Sequence, residues 1–309
     1  MSDQTAQRDL RTPGSPASIA WARRRIAAGR LWRRFRAQRS GLIGLVLLLA
    51  FLSVALLAPL LASADGLLVT KATGAALAPP TGTYWLGTDE SGRSVLTLLI
   101  WGARVSLLVG LASTAISVLL GTVIGIAAGH FRGWGGEIFN RFTDWFLVIP
   151  FLPLAIALAA VLQPSLTNVV MVIGMTSWPG TARLVRAQTL AIEGRPYLER
   201  AKVLGAGHWR QMAQHVLPNV MPLVVANTIL TVAVAILSET TLSFLGFGDP
   251  SQVSWGTMLD NAQSAGAISS GKWWYVIPPG AAVVIVVLSF MLVGRALETA
   301  LNPRSGESR

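Results

Sequence analysis

Residues Gly41 to Ala62 carry no charged side chain, and Ser53 is the one strongly polar member of the run. As a helix rising 1.5 Å per residue, the run covers about 33 Å, enough to cross a hydrocarbon core of about 30 Å. In that core each backbone N–H and C=O needs an internal partner, so a lone apolar run of this length has to be helical. The segment before it holds ten arginines within residues 1–40: Arg8, Arg11, Arg23, Arg24, Arg25, Arg30, Arg33, Arg34, Arg36 and Arg39. Ala62-Ser63-Ala64 has the form of a signal-peptidase site. The basic region is too long for a signal peptide, and the apolar run exceeds a usual h-region. Residues 41–62 are therefore read as an uncleaved first transmembrane helix.

Five further apolar segments follow: Ala103–Gly129, Phe142–Leu162, Leu166 to about Leu184, Val220–Phe247 and Trp273–Leu297. The fourth of the six is expected to break at Pro179-Gly180. With 52% hydrophobic and 13% charged residues, the chain has an integral membrane composition. The expected fold is all-α, with six transmembrane helices. Gly121, Gly125 and Gly129 recur every fourth residue, presenting bare backbone on one helix face for close packing in lipid. A net charge of +11 would suggest nucleic acid in a soluble protein. Its distribution argues otherwise. With the N-terminus inside, 21 of the 25 Lys/Arg fall on inner segments, leaving Lys71, Arg93, Arg104 and Lys272 outside. By the positive-inside rule both termini are cytoplasmic. The first eighteen residues are polar and predict disorder. Ile19–Arg39 reads as a basic amphipathic helix on an anionic leaflet, with nucleic-acid binding the disfavoured alternative. Outer Trp85, Trp101, Trp255, Trp273 and Trp274 and inner Trp134 and Trp145 suit interfacial belts. Arg141 and Asp144 are expected to form an i,i+3 ion pair at the entrance of the third segment. Residues 130–140 read as a glycine-rich turn, and 249–272 as a polar external loop.

Between the fourth and fifth segments lies the polar interval Arg195–Asn219. Tyr197, Ala201 and Leu204 recur at helical spacing, as do Trp209, Met212, Ala213 and Val216. Pro196 suits a first helical turn, Gly205-Ala206-Gly207 breaks the pattern and Pro218 ends it. The prediction is two short amphipathic helices with a glycine hinge. The first, Pro196–Leu204, would be roughly 13 Å long, with Glu199, Arg200 and Lys202 on its charged side. An amphipathic helix resting on the membrane surface fits this spacing equally well.

The interval resembles the EAA loop of ABC-transporter importer permeases: Glu-Ala-Ala, three residues, Gly, and later Leu-Pro. Glu199, Ala201, Gly205 and Leu217-Pro218 take those places, with Arg200 at the middle Ala. His215-Val216-Leu217-Pro218-Asn219 is similar to the version in dipeptide, oligopeptide and nickel permeases. Three further blocks match in order. Tyr84-Trp85-Leu86-Gly87-Thr88-Asp89-Glu90-Ser91-Gly92-Arg93-Ser94 resembles the H-W-L-G-T-D-x-x-G-R-D signature of the C-type subunit, with Ser94 at the last Asp. Glu239-Thr240-Thr241-Leu242-Ser243-Phe244-Leu245-Gly246 resembles E-A-x-L-S-F-L-G. The end, Leu297 to Arg304, resembles L-R-D-x-L-D-P-R, with Asn302 for Asp. The resemblance spans residues 80–304, and 30–80 more loosely.

It implies a type I ABC importer permease in a bacterial inner (plasma) membrane, carrying peptides delivered by an external binding protein. The implied partners are a homologous B-type permease, two cytoplasmic ATPase subunits, the binding protein and membrane lipid. Tyr197, Leu198, Glu199, Arg200, Ala201, Leu204, Gly205 and Ala206 would couple to an ATPase. Gly87, Thr88, Asp89, Gly92, Arg93, His215, Leu217 and Pro218 are motif positions. Asp89 and Arg93 could pair locally or help bind a ligand. Glu239, near the far interface, is a candidate for the translocation path, or a structural hydrogen-bonded carboxylate. The implied division is 1–40 basic segment, 41–62 first helix, 63–102 external loop, 103–300 core with coupling loop 193–219, and 301–309 cytoplasmic tail.

No G-x-x-x-x-G-K-[ST] motif occurs, so ATP and Mg²⁺ are expected in partner subunits and not in this chain. The chain has no cysteine, and His130, His208 and His215 have no metal-ligand spacing. A membrane enzyme is disfavoured for lack of a catalytic grouping. An ion-coupled secondary transporter and a non-transporting assembly protein are the rival classes.

Overall fold

The computed structural model describes residue 25, residues 29–131 and residues 133–301. Most of the basic segment 1–40, including the predicted disorder, and the match at Asn302-Pro303-Arg304 lie outside the described residues. Among the described residues the architecture is helical, with one isolated β-bridge between Thr88 and Ser94. The helices are α1 (Arg39–Leu61), α2 (Val95–His130), α3 (Trp134–Val148), α4 (Phe151–Val161), α5 (Leu166–Glu193), α6 (Pro196–Val203), α7 (His208–Phe247), α8 (Trp255–Ser264) and α9 (Trp273–Leu301).

Of these, α1, α2, α7 and α9 are long and apolar enough to cross a membrane, and the α3–α4 pair adds a fifth if it is one broken span. α5 has 28 residues but carries Arg183, Arg186 and Glu193. Four or five apolar spans thus stand where six were expected. Two ends are distinct. At the loop end, residues 62–94 and α8 gather where α2 begins. At the hinge end, Leu198 of α6 and His208 of α7 gather at the finish of α2.

The bundle is built on close helix contacts. A Cβ at Gly121 would lie 2.6 Å from Thr181 Cβ, and one at Gly125 would lie 2.5 Å from the Ala182 carbonyl. The glycine stripe therefore brings α2 and α5 together backbone to backbone. One core joins α1, α2, α7, α8 and α9 around Leu98, Ile236, Trp255 and Tyr275. A smaller cluster at the hinge end contains Ile126, Val185, Ile192, Leu198, Val216, Val220 and Val224.

Several expectations are corrected. α2 starts at Val95, not Ala103, because the Ser94 hydroxyl caps the Thr97 N–H. The third apolar segment is split: α3 and α4 meet at 86°, since Pro150 forces Ile149 into extended geometry. α3 also takes in most of the supposed glycine-rich turn. The fourth segment, by contrast, runs unbroken through Pro179, which is buried, next to Trp178, whose carbonyl faces Gly121 of α2 and whose ring packs on Phe142 and Phe146 of α3. Packing there outweighs the one lost backbone bond. Pro218 does not end a helix either. A π-helical turn at Gln211–Val216 shifts the hydrogen-bond register, with Leu217 N–H bonded to the Met212 carbonyl. Pro218 then sits in a first α-turn, where no N–H is missed, and α7 continues into the membrane run. The external loop 249–272 contains α8, started by a Ser254–Thr257 capping box with Trp255, Met258 and Ala262 buried. Arg141 pairs with Glu137 at 2.8 Å, and Asp144 with Arg183 at 2.9 Å, so the expected Arg141–Asp144 pair is absent. Trp255 and Trp274 are core residues and not interfacial ones.

Candidate functional site

The hinge end carries the predicted polar interval as a built projection. α6 is eight residues long, with Pro196 in its first turn. Its end is a Schellman motif: Ala206 N–H donates to the Ala201 carbonyl and Gly205 N–H to Lys202, both at 3.0 Å. The motif needs a left-handed residue, and Gly205 supplies φ +79°.

Side chains sort cleanly. Leu198 is fully buried in the hinge-end cluster. The opposite surface exposes Tyr197, Val203, Leu204 and Trp209, with Val203 at 87% and Leu204 at 86%. Glu199 and Arg200 are exposed beside them, while Ala201 and Ala206 are half-buried. Leu198, grouped with the coupling residues from sequence, therefore faces the bundle and anchors the helix. Val203 and Trp209 belong to the exposed apolar surface, although the Tyr197/Ala201/Leu204 spacing did not include them. His215 sits within the π-turn, its ring 6.4 Å from that of Tyr197, and Leu217 and Pro218 continue the helix behind it.

A polar cluster ties this projection down. Lys202 Nζ donates to Glu193 Oε2 at 2.7 Å. His130 Nδ1 lies 2.6 Å from Glu193 Oε1, and His130 Nε2 lies 2.9 Å from His208 Nδ1. Glu193 and His130 are both buried. Burial alone would raise the Glu193 pKa, but hydrogen bonds and charge from Lys202 and His130 outweigh it and hold the carboxyl below its ordinary value. These residues stand up to 78 positions apart, so no spacing rule could group them.

At the loop end the signature residues fold inward. Asp89 is fully buried. Its Oδ1 accepts the N–H groups of Ser91 and Arg93, and its Oδ2 pairs with Arg93 Nε at 2.6 Å. Arg93 also donates to the Leu67 carbonyl. Thr88 Oγ1 donates to the Ala75 carbonyl at 2.6 Å and accepts the Ala78 N–H at 2.8 Å. Gly87 and Gly92 both have positive φ, and a Cβ on Gly87 would strike Trp274. Tyr275 of α9 donates to Glu90 at 2.5 Å. The motif is a knot that fastens residues 65–94 onto α9.

Glu239 is buried on α7, accepting from Ser243 at 2.9 Å and from Ser106 of α2 at 3.2 Å. The Ser106 hydroxyl also accepts the Trp255 N–H, the first residue of α8. The carboxylate thus joins three elements beside a cavity of about 10 Å³, room for one water.

Residues 121–306 match the family model described as "Binding-protein-dependent transport system inner membrane component". Residues 28–80 match the N-terminal TM domain of oligopeptide transport permease C. The chain is 33% identical over 226 residues to the glutathione transport system permease protein GsiD of Pectobacterium atrosepticum, covering 73% of this chain and 74% of that protein. It is 33% identical over 274 residues to the dipeptide transport system permease protein DppC of Bacillus subtilis, covering 88% and 84%. It is 37% identical over 280 residues to the di/tripeptide transport system permease protein DppC of Pseudomonas aeruginosa, covering 88% and 91%.

Proposed function

This chain belongs to the family of inner-membrane components of binding-protein-dependent transport systems, and from that premise we propose that it forms half of the path of an ATP-driven peptide importer and is driven through its Pro196–Gly205 segment. The observation that carries the reading is the exposed Tyr197/Val203/Leu204 surface, held out from the bundle by buried Leu198 and closed by Gly205. Such a surface fits the helix-in-groove mode of a partner protein. Burying Val203 and Leu204 fully would contribute about 1.5–3 kcal/mol each. Ala201 is small where α6 approaches the groove.

The partners in this reading are a second, homologous permease, two ATPase subunits and an external binding protein. ATP and Mg²⁺ bind the ATPases, which carry out the hydrolysis. Closure of the ATPase pair moves α6, and the clustered ends of α2, α5 and α7 move with it, opening the path alternately to either side. The names of the relatives favour peptides as the cargo class. We place α5 as the sixth span, its glycine-matched face on α2 and its Arg183 paired with Asp144 of α3. Both termini and α6 are then cytoplasmic, in keeping with the 21-to-4 charge split.

An ion-coupled transporter working alone would need a relay of buried ionisable groups in the membrane. Glu239 is occupied by hydroxyls of α2 and α7, and Asp144 is in an exposed pair with Arg183. The test is uptake of a labelled mixture of di- and oligopeptides by cells with and without this chain. Uptake that vanishes on deletion of the chain, and equally on inactivation of the partner ATPases, supports the reading. Uptake that persists without the ATPases overturns it.

A further inference from the structure

The α6 projection is short and weakly capped: eight residues with no side-chain cap at Arg195, below the length at which an isolated helix holds in water. Glycines flank it at Gly194 and Gly205. Something must keep it in register with the bundle if movement of α6 is to move the helices. We propose that Glu193 is the positioning residue of this segment, clamping α6 and the start of α7 to the ends of α2 and α5, and that the His130–His208 pair lets the clamp hold through one added proton and open on a second. The functional consequence rests on the coupling reading above.

Each element brings one group to the cluster: Glu193 from α5, Lys202 from α6, His208 from α7 and His130 from α2. Glu193 uses both oxygens, one for Lys202 and one for His130. Phe131 packs against both imidazoles, with ring centroids at 5.3 Å and 5.6 Å. Arg186 and Arg195, the other charges on this stretch of chain, make no bond to Glu193, and Arg195 is exposed.

The proton inventory follows from the geometry. A carboxylate only accepts, so His130 Nδ1 carries a proton toward Glu193. In the neutral pair, His208 Nδ1–H donates to His130 Nε2. When one proton is added, His130 becomes the cation and its Nε2–H donates to His208 Nδ1, whose own proton moves to Nε2. Each hydrogen bond survives, and the His130 cation now faces Glu193. A second added proton makes both imidazoles cations. Two N–H groups then oppose each other across 2.9 Å and the contact cannot persist. His208 is exposed at its outer edge, so protons reach it from solvent.

Two substitutions separate positioning from bulk stability. Glu193→Gln offers an NH₂ where two donors already point, so one partner is lost. His208→Asn keeps a partner for His130 in either protonation state, since its amide can donate or accept, and it removes the second titration.

The experiment uses the full chain, which has no native cysteine, spin-labelled at Leu204→Cys in lipid nanodiscs, together with the complete importer assayed for ATP hydrolysis stimulated by the binding protein. Glu193→Gln should raise label mobility at neutral pH and reduce stimulation by roughly 5-fold or more, the low end of site-to-site coupling. Acidification from about pH 8 to pH 5, the histidine window, should raise mobility in the parent and leave His208→Asn flat. Parent-like mobility and stimulation in Glu193→Gln would overturn the clamp. An acid response that is absent in the parent, or the same in His208→Asn, would overturn the latch. If Glu193→Gln fails to fold, Lys202→Met, which removes one of the two clamp bonds, replaces it, and parent-like mobility and stimulation in that variant would overturn the clamp. Wild-type stimulation in Ala201→Trp would instead remove the coupling reading, while the label results still judge the clamp.

Discussion

Gly205 allows the backbone requirement of the hinge to be isolated. A Cβ built there meets nothing within 4 Å, so no substitution is penalised by collision with the fold at that atom. What remains is φ +79°, which for an L-residue costs about 1–2 kcal/mol, and more for a β-branched side chain. At about 1.4 kcal/mol per tenfold, that shifts the closed turn against open forms by roughly 5- to 30-fold. The two Schellman bonds at Ala206 and at position 205 depend on that closure. Gly205→Val should therefore leave insertion intact, raise amide exchange at residue 206 by about that factor and abolish stimulated ATP hydrolysis. Gly205→Ala should fall between. Gly205→Asn should stay near wild type, because Asn tolerates the left-handed region. The assay is exchange by mass spectrometry alongside ATPase stimulation in the reconstituted importer. Equal exchange in the Val, Ala and Asn variants would refute the backbone argument.

Two ion pairs at the loop end should behave differently. Asp89→Ala strands Arg93, whose side chain is only 12% exposed, and should cost about 3 kcal/mol or more, whereas Lys71→Ala breaks an exposed pair with Asp65 worth about 0–1 kcal/mol; thermal melting of the two variants in nanodiscs compares them. Asp249 Oδ2 accepts the Leu166 N–H at the start of α5. Burial raises its pKa, but the bonds from Ser251 and Leu166 outweigh burial and hold it low. Its stabilising contribution is thus present above the ordinary Asp value of about 3.9 and is lost as pH falls through the lower folded value. Acid melting curves should show this loss in the parent and lack it in Asp249→Ala.

Most of the fold could be read in advance wherever a single local rule acted. The first apolar run, the glycine stripe and the left-handed turn at Gly205 each follow from a few neighbouring residues, and α1 matches its predicted limits within two residues. The errors cluster at proline. The third segment was read straight through Pro150, where the chain breaks, whereas Pro179 and Pro218 were read as breaks and are not: one is buried within α5, the other follows a π-turn that moves the bonding register. Ion-pair partners were misassigned because Arg141 and Asp144 looked only to each other along the sequence, whereas Asp144 finds Arg183 on another helix. At the site, the exposed apolar surface was visible in spacing, though Val203 was missed and Trp209 was assigned to the second helix of the interval without being joined to that surface. The inward turn of Leu198 was not visible, since it depends on where α6 meets Val216 and Ile192. The Glu193 cluster had no sequence signal at all. Its members come from four helices.

The most direct measurement is photo-crosslinking from position 204 in the assembled importer. Leu204 projects into solvent at the tip of the hinge end, while Leu198, six residues earlier, is fully buried. A photoreactive residue at 204 should capture an ATPase subunit, with yield that changes on adding ATP, and the same residue at 198 should not. Capture of the external binding protein or of lipid at 204, with no ATPase adduct, would contradict the account.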